Sequence, residues 1–89
     1  MGQIASVYDI MPEGSGIDLR VIIKSIPTAI PAGVELKEVN IQPVAFGIDK
    51  IVAFFIVDDS YDSIGSKLEK GLRSIDGVGE IECTDSTVL

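Results

Sequence analysis

Pro43-Val44-Ala45-Phe46-Gly47-Ile48-Asp49-Lys50-Ile51-Val52-Ala53-Phe54-Phe55-Ile56-Val57-Asp58-Asp59 is the stretch that decides the fold. Seven consecutive residues, Ile51 to Val57, are apolar. An extended segment with both faces apolar belongs in the middle of a sheet, so Lys50 to Val57 is expected to be a central strand. Gly47-Ile48-Asp49 makes a tight connection into it. The preceding strand runs from about Glu35 to Phe46 and alternates at its centre, with Val39 and Ile41 on one face and Asn40 and Gln42 on the other. Pro43 has no N–H to give to a ladder, which suits an edge position or a bulge.

On the amino-terminal side, Ile4 to Met11 reads as a strand stopped by Pro12. Its pattern places Ile4, Tyr8 and Ile10 toward a core and Asp9 toward water. Glu13-Gly14-Ser15-Gly16 is a turn, and Ser15 with Asp18 fits a capping box. Leu19, Ile22, Ile23 and Ile26 follow helical spacing, and Pro27 kinks or ends that helix nearby. Thr28 to Gly33 is a linker.

On the carboxyl-terminal side, Asp58-Asp59-Ser60-Tyr61-Asp62 precedes a second helix, where acidic groups complement the positive end of a helix dipole. Ile64, Leu68, Leu72 and Ile75 form its buried stripe, and Glu69 with Arg73 is a well-oriented ion pair one turn apart. Gly65 and Gly71 each weaken it by about 1 kcal/mol relative to alanine. Gly77 supplies a stop. The last strand, Val78 to Thr84, directs Ile81 and Cys83 inward and Glu80, Glu82 and Thr84 outward. The order β-α-β-β-α-β predicts an α+β, ferredoxin-like sandwich: a four-stranded antiparallel sheet with two helices on one face. The uncovered face shows part of the apolar central strand, a hint of a partner surface.

Eighty-nine residues are expected to form one domain spanning 1–89, with 46% apolar residues arguing against disorder. Fourteen acidic residues against seven basic ones give a net charge of −7. That balance argues against binding nucleic acid directly or an anionic membrane, since both need clustered Lys and Arg. The chain contains no histidine, which excludes Ser-His-Asp and Cys-His nucleophiles and His-ligated zinc. A lone cysteine, Cys83, leaves no internal disulfide and fits a reducing cytoplasm. The first residues lack the basic-then-apolar pattern of a signal peptide. Gly2 and Ser6 match a myristoylation pattern, but Ile4 to Val7 read better as strand.

The remaining motifs are weak. No phosphate-binding loop is present, and Gly14-Ser15-Gly16 reads as a helix-start turn. Asp58, Ser60, Asp62 and Glu69 occupy the ligand spacing of a calcium loop, yet Ser63 stands where glycine is wanted and Glu69 lies inside the helix pattern. Those carboxylates lack the companions that hydrolysis requires. RNA modules of the same element order stack bases on strand aromatics, but Phe54 and Phe55 lack basic company, Lys50 standing beside Asp49. No cofactor or metal is expected. A regulatory or metal-sensing module that self-associates through its open sheet face is the alternative.

Val7-Tyr8-Asp9-Ile10-Met11-Pro12, the run from Pro43 to Ile51, and Phe55-Ile56-Val57-Asp58-Asp59 resemble the guanine-nucleotide exchange domain of the translation elongation factor 1-beta family, in its short archaeal form. The resemblance spans essentially the whole chain. It implies a protein without covalent chemistry that binds the GTPase elongation factor 1-alpha, weakens its nucleotide and magnesium contacts, and so promotes exchange of GDP for GTP. It also implies that Phe46 matches an aromatic that inserts into the GTPase, and that Pro43, Gly47, Ile48 and Lys50 shape or flank that contact. Eukaryotic relatives carry a penultimate lysine that reaches toward the magnesium and phosphate site. Here no lysine or arginine follows Arg73, so that mechanism does not carry over.

Overall fold

A computed structural model describes residues 2–14, 16–45, 47–61 and 63–89. Six elements follow in order: β1 (Gln3–Pro12), α1 (Leu19–Ala29), β2 (Val34–Ala45), β3 (Ile48–Asp58), α2 (Ile64–Arg73) and β4 (Val78–Val88). The four strands form one sheet in the order β2-β3-β1-β4. Every neighbouring pair is antiparallel. This is the ferredoxin-like arrangement expected, with β3 central as its seven-residue apolar run demands.

Alternation divides the sheet into two faces. Tyr8 and Ile10 of β1 and Ile51, Ala53, Phe55 and Val57 of β3 are buried with Ile22 and Ile26 of α1 and Leu68 and Leu72 of α2. Tyr8 stands edge-on to Phe55, ring centroids 5.9 Å apart. Val7 pairs with Phe54 and Asp9 with Val52 on the opposite, helix-free face. The helices approach each other closely at Gly71, where a Cβ would strike the backbone carbonyl of Ala29. The glycine that costs helix propensity is therefore what lets the layer close.

Several local expectations need correction. Asp18 itself is the N-cap of α1, accepting from the Arg20 N–H at 3.0 Å. The proposed partner Ser15 lies outside the described residues. α1 ends at Ala29, two residues past Pro27 and so near it as expected, which leaves Thr28 and Ala29 in the helix rather than in the linker. The N-cap of α2 is Ser63, left-handed at φ 54°, with no side-chain bond, and no acidic residue occupies the first turn. Asp58 instead closes its own turn, accepting from the Ser60 N–H at 3.0 Å and hydroxyl at 2.7 Å. Asp59 accepts from the Gly2 N–H at 2.7 Å, and Asp62 is outside the described residues.

α2 ends at Arg73, four residues before Gly77, which sits at φ 93° in the turn to β4. β4 runs past Thr84 to Val88, with a register shift opposite Val7 and Tyr8 that interrupts its alternation. Ile81 is buried as expected, but Cys83 is exposed. β4 is an edge strand there, and the helices do not cover it.

Candidate functional site

The strands outrun the helices. Twelve residues of β2 span about 40 Å at 3.3 Å each, whereas eleven residues of α1 span about 16 Å. The molecule is accordingly elongated, 42 × 21 × 17 Å. From Asn40 to Ala45 every residue of β2 is exposed. The β2–β3 hairpin thus projects beyond the core, carrying apolar side chains the core does not use: Ile41 is 46% exposed, Val44 47% and Ile48 39%.

The hairpin end is shaped by its sequence. Ile41 still pairs with fully buried Ile51 and Gln42 with Lys50, and Pro43 opposes Asp49. The register then slips between Pro43 and Ala45, so the proline sits at an edge and at a bulge, both places where its missing N–H costs nothing. Gly47 adopts φ 79°, a conformation that other residues resist, and nothing crowds it. Pro43, Gly47 and Ile48 therefore cluster at one end of the molecule. Phe46 lies outside the described residues. Gly47, Ile48 and Asp49 also face Pro12, Gly14 and Ile17 of the β1–α1 connection across a shallow groove.

Lys50 departs from the expected picture. Its ammonium reaches across the open face to Asp9, Nζ to Oδ2 2.6 Å, with the side chains 26% and 14% exposed. Asp9 therefore does not simply face water, and Lys50 is half of a shielded ion pair. Val44 shares a concavity with this pair and with Glu80 and Glu82 of β4. Neither Val44 nor Ile41 stood out from sequence. The available signal was Pro43, which marks where alternation ceases to report burial.

Elsewhere the titratable groups serve structure. Tyr8 donates to Glu69 Oε2 at 3.1 Å. Burial first, and then the neighbouring Glu69 carboxylate, push its phenol well above the ordinary tyrosine range. Glu69 also faces Arg73 at 3.7 Å, so this member of the calcium-loop spacing is engaged within the fold. Among the described residues no group of three His, Cys, Asp or Glu is placed to hold a metal ion. Among them, too, no helix is long and apolar enough to cross a membrane.

Residues 5–88 match the family model for the EF-1 guanine nucleotide exchange domain. The chain is similar to elongation factor 1-beta of Methanothermobacter thermautotrophicus, 34% identical over 96% of this chain and 94% of that protein. It is also similar to elongation factor 1-beta of Methanobrevibacter smithii, 30% identical over 100% and 99% of the two chains. The protein of that name from Archaeoglobus fulgidus is 30% identical over the full length of both. With the family's model matched across all six elements, the chain belongs to the EF-1 guanine nucleotide exchange domain family and acts in nucleotide exchange during translation elongation.

Proposed function

We propose that the chain binds the GTPase elongation factor 1-alpha through the β2–β3 hairpin end and accelerates GDP release without making or breaking a covalent bond. The observation that carries this reading is the projecting tip, where Val44 and Ile48 stay exposed on a hairpin whose base is locked in the core by Ile51. Exposed apolar groups on a rigid support are suited to entering a partner, because little conformational entropy is lost on docking. Exchange then follows from linkage. A factor that prefers the nucleotide-free GTPase weakens nucleotide affinity by the same free energy, about tenfold for each 1.4 kcal/mol.

Within this reading Phe46 is the inserting aromatic. Pro43 and Gly47 set the geometry of the turn that bears it, and Ile48 widens the apolar contact. Lys50 enters as a neutralised pair with Asp9, so its role is to stiffen the root of the hairpin rather than to offer a free cation. The work is done in the cytoplasm, alongside translation. The test is release of fluorescent GDP from archaeal elongation factor 1-alpha with and without the protein. Phe46→Ala should slow stimulated release about 30-fold, the effect of losing about 2 kcal/mol at an aromatic anchor, with an unchanged circular dichroism spectrum. Release that is equally fast with the variant overturns the role of Phe46. No acceleration by the wild-type protein at stoichiometric amounts overturns the function.

A further inference from the structure

Among the described residues nothing packs over the sheet face away from the helices, and its charge is arranged unevenly. Half-buried Val7, Phe54 and Ile56 run along its middle strands. Its edges bear carboxylates, with Glu38 on β2 opposite Phe54, and Glu80 and Glu82 on β4 opposite Met11 and Asp9. Two lysines on the β2–β3 side are already engaged, Lys50 with Asp9 at 2.6 Å and Lys37 with Glu35 at 3.1 Å. Among the described residues no cation pairs with Glu38, Glu80 or Glu82.

A surface that buries the apolar strip must also desolvate this rim, which is unfavourable unless it brings positive charge. We infer that this face is a second docking surface for the exchange GTPase, met by a Lys- and Arg-bearing surface of that protein. The inference rests on the proposed function. It is favoured by continuity as well as charge: Val44 of the hairpin end lines the same concavity as Glu80 and Glu82, so a protein seated on the tip extends onto the face without a gap. A second copy of the chain fits poorly, because it would set unpaired carboxylates against one another.

The test compares two variants with equal charge change. E80Q/E82Q removes two negative charges from the open face. V21K/S66K adds two positive charges on the helix layer, at exposed positions that line neither the open face nor its concavity. Association with nucleotide-free elongation factor 1-alpha is followed by stopped flow at several salt concentrations, and GDP release is titrated to saturation. E80Q/E82Q should associate about three- to tenfold more slowly at low salt. Its salt dependence should be shallower and its half-saturating concentration higher, with the saturated release rate within twofold of wild type. V21K/S66K should match wild type. An E80Q/E82Q protein indistinguishable from wild type overturns the inference while leaving exchange intact, and so does equal slowing by V21K/S66K, which would reflect net charge alone. A wild-type homodimer tightened by E80Q/E82Q also overturns it, since the face would then join two copies. Failure of the wild-type protein to bind the GTPase overturns the proposed function and this inference together.

Discussion

Replacing Gly71 by alanine reverses a familiar rule, and the structure says why. In an exposed helix interior the change normally stabilises by about 1 kcal/mol, because glycine carries the greater entropy cost. At Gly71 the new methyl would overlap the carbonyl oxygen of Ala29. That oxygen is backbone, in the last residue of α1, and no rotamer change moves it aside. The helices must separate, and the displaced contacts reach fully buried Ile26 and Leu72. Overpacking of this kind costs about 1–3 kcal/mol. After subtracting the propensity gain, the net destabilisation reaches about 2 kcal/mol at the upper end, a loss of up to about 16 °C in Tm for a domain of this size. Gly65 is the internal control, since a Cβ there meets nothing within 4 Å on the same helix. Urea unfolding followed by circular dichroism should place G71A below wild type and G65A at or above it. A G71A protein as stable as wild type would refute the close-approach argument, and equal losses in both variants would shift the cause to α2 itself.

Two further predictions concern pH. Tyr8→Phe removes the bond to Glu69 and should cost about 0.5–1.5 kcal/mol near neutral pH. Because the folded phenol titrates above its ordinary value, the stability linked to it is complete below about pH 10 and lost as pH rises further. Urea midpoints should therefore fall more steeply above pH 10 for wild type than for Y8F, and parallel curves would contradict the assignment. Asp58 shows the opposite sign. The Ser60 amide and then the Ser60 hydroxyl hold its carboxyl below the ordinary 3.8, so its contribution is present above that value and lost as pH falls through the lower folded one. D58N should flatten the acid limb of the stability profile, an expectation refuted if both proteins lose stability in step as pH falls below 3.8.

The fold was legible because its signals are local and redundant. The doubly apolar β3 could only be central, and Ile22, Ile26, Leu68 and Leu72 keep helical spacing. Failures came where a long-range partner or an edge overruled the local pattern. Asp9 reads as solvent-facing until Lys50, 41 residues away, is brought to it. Cys83 reads as buried by alternation, and it does keep the register that places it opposite core-facing Tyr8, but it stays exposed because it lies on an uncovered edge. Asp58 and Asp59 read as acidic company for the start of α2 because they precede it, yet their oxygens accept from Ser60 and Gly2. For the site, Pro43 and Gly47 announced the turn. The exposure of Ile41 and Val44 was hidden, because it depends on how far the sheet extends past helices of half its length, a property of packing rather than of any residue type.

That mismatch in length also bears on how such a domain can act on a partner. A factor that lowers nucleotide affinity a thousandfold must maintain a preference of about 4 kcal/mol for the empty GTPase. Its contact surface has to hold its shape against that load. β2 alone would not, since it is an edge strand bonded on one side, with a register shift at Leu36 and another at Pro43. β3 is different. It is paired with β2 on one side and β1 on the other, and its inward residues Ile51, Ala53 and Phe55 are essentially inaccessible to solvent. Ile48 lies three residues from Ile51 along this strand, so a push at the tip passes directly into the best-anchored element of the fold. The Asp9–Lys50 pair ties β1 to β3 at the same level, on the face where no helix adds support. In the proposed docking, Ile48 is thus displayed where the core ends on the strand that the core holds most firmly, and that strand backs Ile41 and Val44 on β2.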